Sequence, residues 1–213
     1  MKKSLVFAFL SLLLVSITTR SQACTSAVIT GKVTANGKPL LWKHRDTGQE
    51  QNRIAYFNTG KYAFLALVDA PDKGEEAWIG TNKAGFSIMN TASYNLKDDQ
   101  EKEMDHEGKL MYRALEICAN LEDFERFLDT LSRPMRVEAN FGVIDASGGA
   151  AYYEVNNHSW VKVDANDPRI APNGYLVYTN FSYTGRISQG AGYMRYITAS
   201  DLFLQKSSTM DFT

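Results

Sequence analysis

The sequence predicts an α+β fold of layered antiparallel sheets, and three observations carry that expectation. β-prone runs broken by turn residues occupy positions 24–90, and others occupy 139–179. Two stretches of helical period lie between these groups, and a third helical stretch follows the last strand. Strands, a helix pair, strands and a final helix are the order expected of helices packed on antiparallel sheets rather than of alternating βα units.

The chain opens MKKSLVFAFLSLLLVSITTRSQA, where Lys2 and Lys3 precede an apolar run too short to span a bilayer as a helix. Small residues at Ser21 and Ala23 make a signal-peptidase site, so residues 1–23 read as a secretory signal and 24–213 as one domain. The expected location is secreted or periplasmic, with no membrane insertion after cleavage. The leader holds three of the 23 basic residues and none of the 24 acidic ones, so the mature chain is net acidic, which argues against a nucleic-acid partner.

After Cys24 two β-prone runs flank Ala35-Asn36-Gly37-Lys38, and Asn-Gly is a strong hairpin signal because both residues tolerate positive φ. Antiparallel pairing would return Asp46 towards Cys24. Further strands are expected at 53–57, 62–68, 77–81 and 85–90. A charged loop then leads to helices at 108–118 and 121–132, with Pro134 as a stop. Two or three strands follow across 139–164, then one at 174–179 and a helix at 192–206.

Only two cysteines occur, and a disulfide between them is open in an oxidising compartment. Cys118 falls in LMYRALEICANLEDFERFL, where Leu110, Ala114, Ile117, Leu121 and Phe124 share its helical spacing, so it reads as core. Cys24 has no periodic setting. It reads as a small strand hydrophobe, as a lipidated cysteine blocked on thiol and amine, or as the first residue of the mature chain. In the last case its α-amine, with an ordinary pKa near 8, supplies the base that a thiol nucleophile needs. A Cys–His arrangement would be open only to His44; His106 and His158 lie in no catalytic context.

The stretch CTSAVITGKVTANGKPLLWKHRDTG resembles the N-terminus of N-terminal-nucleophile hydrolases of the choloylglycine hydrolase and penicillin acyltransferase group. The resemblance extends to about Leu204 and implies an αββα sandwich; relatives run on further at the C-terminus, so the chain reads as a fragment or as a shortened form, and an inactive truncated homologue is the alternative to an enzyme. It also implies an amidohydrolase or acyltransferase acting on linear amide bonds outside peptide chains, with no metal or organic cofactor. The expected partner is a small-molecule amide such as a conjugated bile salt, penicillin V or an N-acyl amine, seated in an apolar pocket; homo-oligomers are common in the family.

Carried over by motif, Cys24 matches the nucleophile and Asp46 the aspartate that holds its amine and thiol. WIGTNKAGFSIMNTASY is similar to the segment leading to an oxyanion residue, which nominates Asn90, with Thr91 and Ala92 open by spacing. LVYTNFSY matches the Thr-Asn motif at Asn180, a donor for the oxyanion. GYMRYITASDLF matches the helix-opening segment at Arg195, which would stabilise charge beside the cysteine or hold Asp46. The family's first basic residue aligns with Lys43, while Arg45 precedes the aspartate and is expected on the other strand face, so which of the two serves the site is open. Trp42, Tyr56, Phe57 and Trp78 are candidates for an acyl pocket or for core.

Overall fold

The computed structural model describes residues 23–71, 74–96 and 106–206. The expected leader before Ala23, most of the charged loop after Leu96 and the polar tail after Lys206 lie outside the described residues. The strands are β1 (Thr25–Ile29), β2 (Leu40–His44), β3 (Asn52–Phe57), β4 (Phe64–Asp69), β5 (Ile79–Asn82) and β6 (Ser87–Ala92). Helices α1 (Glu107–Ile117) and α2 (Leu121–Thr130) follow, then β7 (Ala139–Ile144), β8 (Ala150–Val155), β9 (Trp160–Asp164), β10 (Tyr175–Tyr178) and α3 (Tyr193–Lys206). Every element expected from the sequence is present, with ends displaced by a residue or two.

Two antiparallel sheets form. One has the order β10-β1-β2, the other runs β3 to β9 in chain order. The β1–β2 hairpin pairs Thr25 with His44 and Ile29 with Leu40. Its connection is longer than an Asn-Gly turn alone. Thr30 leaves the hairpin to donate its amide to the Gly174 carbonyl at 2.9 Å, and a 3-10 turn at Gly31–Val33 follows. Gly37, at φ 70°, then reverses the chain.

Three apolar layers separate four structural ones. Between the sheets, Val28 meets Met89, Tyr152 and Tyr178. Beneath α3, Ala27, Ile29, Tyr175 and Val177 pack on Tyr196, Ala199 and Phe203. Across the large sheet, Ile88, Phe141, Val143 and Tyr153 bury against Leu115, Phe124 and Leu128 of α1 and α2. This is the αββα order. The strand period decides the partition, since successive side chains of β1 and β8 enter opposite layers. Gly142 sets how closely the sheets approach, because a Cβ there would lie 2.8 Å from Met89 and 3.0 Å from Val28.

Cys118 is core, as its spacing predicts, and burial pushes its thiol up to about 12. Both cysteines are free thiols, so the disulfide alternative is not taken. Among the described residues no helix is long and apolar enough to cross a membrane.

Buried Asn82 joins two layers. Its Oδ1 accepts from the amides of Ala84 at 3.0 Å and Phe86 at 3.1 Å, shaping the β5–β6 turn. Its Nδ2 donates to the carbonyls of Leu115 at 2.9 Å and Cys118 at 2.7 Å, which end α1. Replacing Asn82→Ala strands these groups in the interior, and urea denaturation should record a loss of about 2–4 kcal/mol.

Candidate active site

Cys24 immediately precedes β1, and continuing the register of the hairpin sets it opposite Arg45. Cross-strand partners share a face, so Cys24, Lys43 and Arg45 point together and His44 points away. A cavity of about 380 Å³ opens on that face. Its lining includes Cys24, Lys43, Asp46, Trp78, Asn90 and Ala92, and His44 is not among the lining residues. Cys24 is buried, with 8% of its surface exposed, and Sγ donates to the main-chain carbonyl of Asp46 at 3.8 Å. The expected approach of Asp46 to Cys24 is therefore present. The contact uses the Asp46 backbone, while the residue itself is exposed at the cavity edge.

Lys43 and Arg45 both line the cavity, which corrects the expectation that Arg45 faces elsewhere. Residues two apart on a strand share a face, so Arg45 follows Lys43, and Asp46, which alternation alone would turn away, reaches the same cavity because the strand ends at His44. The environments of the two cations differ. Arg45 forms an ion pair with Asp69 at 2.8 Å, donates to the Asn52 side chain and lies 5.0 Å above the Trp78 ring. The Lys43 Nζ donates to the Trp78 carbonyl at 2.9 Å and to Asn90 Oδ1 at 2.8 Å. Burial lowers the Lys43 ammonium to about 8; the Cys24 charge opposes that fall and Arg45 adds to it.

Among the alternatives at the end of β6, the buried Asn90 side chain is the amide that faces the cavity. Thr91 turns the other way, its Oγ1 accepting from Asn140 Nδ2 at 3.2 Å. Ala92 lines the cavity and offers its carbonyl to Asn180 Nδ2 at 2.9 Å.

Asn180 and Arg195 lie on the side of Cys24 away from the cavity. Asn180 is fully buried, outside the cavity lining, with its Oδ1 accepting from Arg195 Nη2 at 2.8 Å. From α3, Arg195 Nη1 donates to the Ala23 carbonyl at 3.0 Å, the Cys24 carbonyl and Thr25 Oγ1 at 3.0 Å. Arg195 thus clamps the main chain of Cys24 and does not hold Asp46. The motif resemblance nominates the residue but not the main-chain carbonyls of Ala23 and Cys24 that it binds.

The lining also corrects the expectation of an apolar pocket. Asp69, Glu76 and Glu107 join Asp46 there, so carboxylates outnumber Lys43 and Arg45 among the described lining residues. Trp78 contributes the one large aromatic surface in that lining. Among the described residues no cluster of three or more His, Cys, Asp or Glu is placed to hold a metal ion.

No family model matches the sequence, and a comparison with curated proteins finds no match. Solved structures do match. An N-acylethanolamine-hydrolyzing acid amidase ortholog from Caenorhabditis elegans superposes with a TM-score of 0.53 at 16% identity, over 87% of this chain and 83% of that one. A mutant conjugated bile acid hydrolase from Clostridium perfringens gives 0.50 at 15% identity, over 85% of this chain and 57% of that one. The chain therefore spans little more than half of the bile acid hydrolase. At these identities the likeness lies in the fold, and that fold is the αββα sandwich of the N-terminal-nucleophile hydrolases.

Proposed function

We propose that this chain is an exported cysteine amidohydrolase or acyltransferase of the choloylglycine hydrolase group, acting on the linear amide bond of a small molecule. The observation that carries the reading is the position of Cys24. It immediately precedes β1, the central strand of one sheet, faces a cavity with Lys43, Asp46 and Asn90, and is clamped from behind by Arg195. Removal of residues 1–23 would place a free α-amine on the carbon next to the thiol-bearing carbon. Nucleophile and base are then one residue.

In this mechanism Sγ attacks the amide carbonyl, the α-amine delivers a proton to the leaving nitrogen, and water or an acceptor amine resolves the thioester. Asp46 at the cavity edge favours the ammonium form of that amine. Asn90 is suited to the oxyanion: Lys43 occupies its Oδ1, so its Nδ2 is the end left to donate. Asn180 supports the oxyanion wall indirectly, through the carbonyl of Ala92. The amidase and the bile acid hydrolase of like fold suggest N-acylethanolamines and conjugated bile acids as first substrates to try. The charged lining favours substrates with a compact polar group beside the scissile bond.

N-terminal sequencing of the exported protein should begin at Cys24. Hydrolysis of an acyl-amide panel should fall by about 10³-fold or more in Cys24→Ala, and equal rates in the two proteins would remove Cys24 from the mechanism. Intact mass separates the lipoprotein reading, since a diacylglycerol adduct on Cys24 would block both reactive groups. Asp46→Asn should lower kcat by about 10–100-fold with little change in KM. Arg195→Lys keeps the charge but loses the forked geometry, and thermal unfolding should show a loss of about 1–2 kcal/mol.

A further inference from the structure

The basic residue at position 43 is a lysine, and that choice of cation sets what the side chain can do. An arginine is permanently protonated and only donates, whereas a lysine amine can also accept a proton. The Lys43 Nζ makes two hydrogen bonds, and both partners are neutral acceptors, the Trp78 carbonyl and Asn90 Oδ1. Those two contacts satisfy both N–H bonds of a neutral amine. One tetrahedral position on Nζ is left, in a side chain that lines the same cavity as Cys24.

We propose that Lys43 is a second base of the site, whose neutral ε-amine takes the proton of the Cys24 thiol, so that the thiol is activated whether or not the Cys24 α-amine has been freed. The inference rests on the reading of Cys24 as nucleophile.

The balance of the step is simple. The S–H bond breaks as its proton forms the third N–H bond on Nζ, and the sulfur pair forms the C–S bond while the carbonyl π pair moves to oxygen. Collapse breaks the C–N bond, and the leaving nitrogen takes a proton from the α-ammonium. On hydrolysis water passes a proton to the α-amine, the C–S bond breaks, and Nζ returns its proton to the thiolate.

The surroundings of Lys43 suit this role. Charged groups reach the cavity from each neighbouring element: Cys24 before β1, Arg45 and Asp46 after β2, Asp69 at the end of β4, Glu76 before β5 and Glu107 at the start of α1. Asp69 neutralises Arg45 in an ion pair. Lys43 makes no ion pair within 4 Å among the described residues, so burial is not offset by a contacting carboxylate and the ammonium titrates near 8.

The test uses iodoacetamide as probe, with the labelled peptide located by mass spectrometry so that Cys118 is counted apart. In the full chain with Ala23 still attached there is no α-amine on Cys24. Its alkylation rate should nevertheless rise through an inflection near pH 8. Lys43→Arg and Lys43→Met should each slow labelling at pH 7.5 by about 10–100-fold and move the inflection upward. In the mature enzyme Lys43→Arg should lower kcat by about 100-fold and leave KM within about twofold. Should both variants misfold, the ¹³Cε shift of Lys43 in the unaltered protein decides, by titrating with the same midpoint as alkylation and moving in Cys24→Ala. An alkylation profile unchanged in Lys43→Arg, or a Lys43 that titrates above pH 10, overturns the proposal. If Cys24→Ala abolishes hydrolysis while Lys43→Arg is fully active, this inference alone fails; if Cys24→Ala retains full activity, the enzymatic reading itself fails.

Discussion

Burial of β1 on both faces is the constraint from which the rest of the structure follows. Every residue of Thr25–Ile29 is buried, with Val28 entering the layer between the sheets and Ala27 and Ile29 the layer beneath α3. A one-residue slip would exchange those faces and drive each side chain into the wrong layer. Register is therefore fixed along the strand, and Cys24, one residue upstream, inherits its position from it. Arg195 reinforces this from the helix that covers the strand, where its donors bind the carbonyl of Cys24 and the hydroxyl of Thr25. Covering the core and fixing the thiol are tasks of the same helix.

The two cations of β2 and its exit show how packing assigns different chemistry to neighbours. Arg45 has a carboxylate, an amide oxygen and an indole face within reach, so its charge is compensated and its fork is fixed. Lys43 has two neutral acceptors and is half-buried, which lowers its ammonium to about 8. The first serves as wall. The second carries a charge that depends on pH, and that charge is coupled to Cys24. Substituting one cation for the other would preserve net charge and lose this division.

Most of the fold was legible in the sequence because its elements are locally marked. Asn36-Gly37 announces the first hairpin, and the helical period around Cys118 announces α1 and α2. The site was legible only where it borders such elements. Cys24, Lys43 and Asp46 sit on the first hairpin or its exit, so pairing suggests their neighbourhood, whereas Asn90 lies on β6 of the other sheet and was nominated by the family resemblance. Asp69, Glu76 and Glu107 were not legible as lining. They come from the end of β4, the segment before β5 and the first turn of α1, and no sequence spacing relates them to Cys24. Arg195 lay between these cases: its position was found by motif resemblance, but two of its acceptors are the main-chain carbonyls of Ala23 and Cys24, and no residue type marks a carbonyl as a target.

The clamp also bears on how a processed nucleophile keeps its place. Arg195 binds the Ala23 carbonyl, the Cys24 carbonyl and Thr25 Oγ1 through one nitrogen and Asn180 through another. On the proposed reading, cleavage between Ala23 and Cys24 removes the first of these acceptors and leaves the other three. Asn180 remains tied to Ala92 at the cavity wall, so Arg195 still joins α3 to Cys24 on one side and, through Asn180, to the wall on the other. A new terminus ordinarily frays. Here the peptide group following the amine is already bound before the amine exists, and the strand beyond it is buried on both faces. The amine therefore emerges beside a thiol whose orientation cleavage does not have to create, which is the preorganisation that an intramolecular base requires.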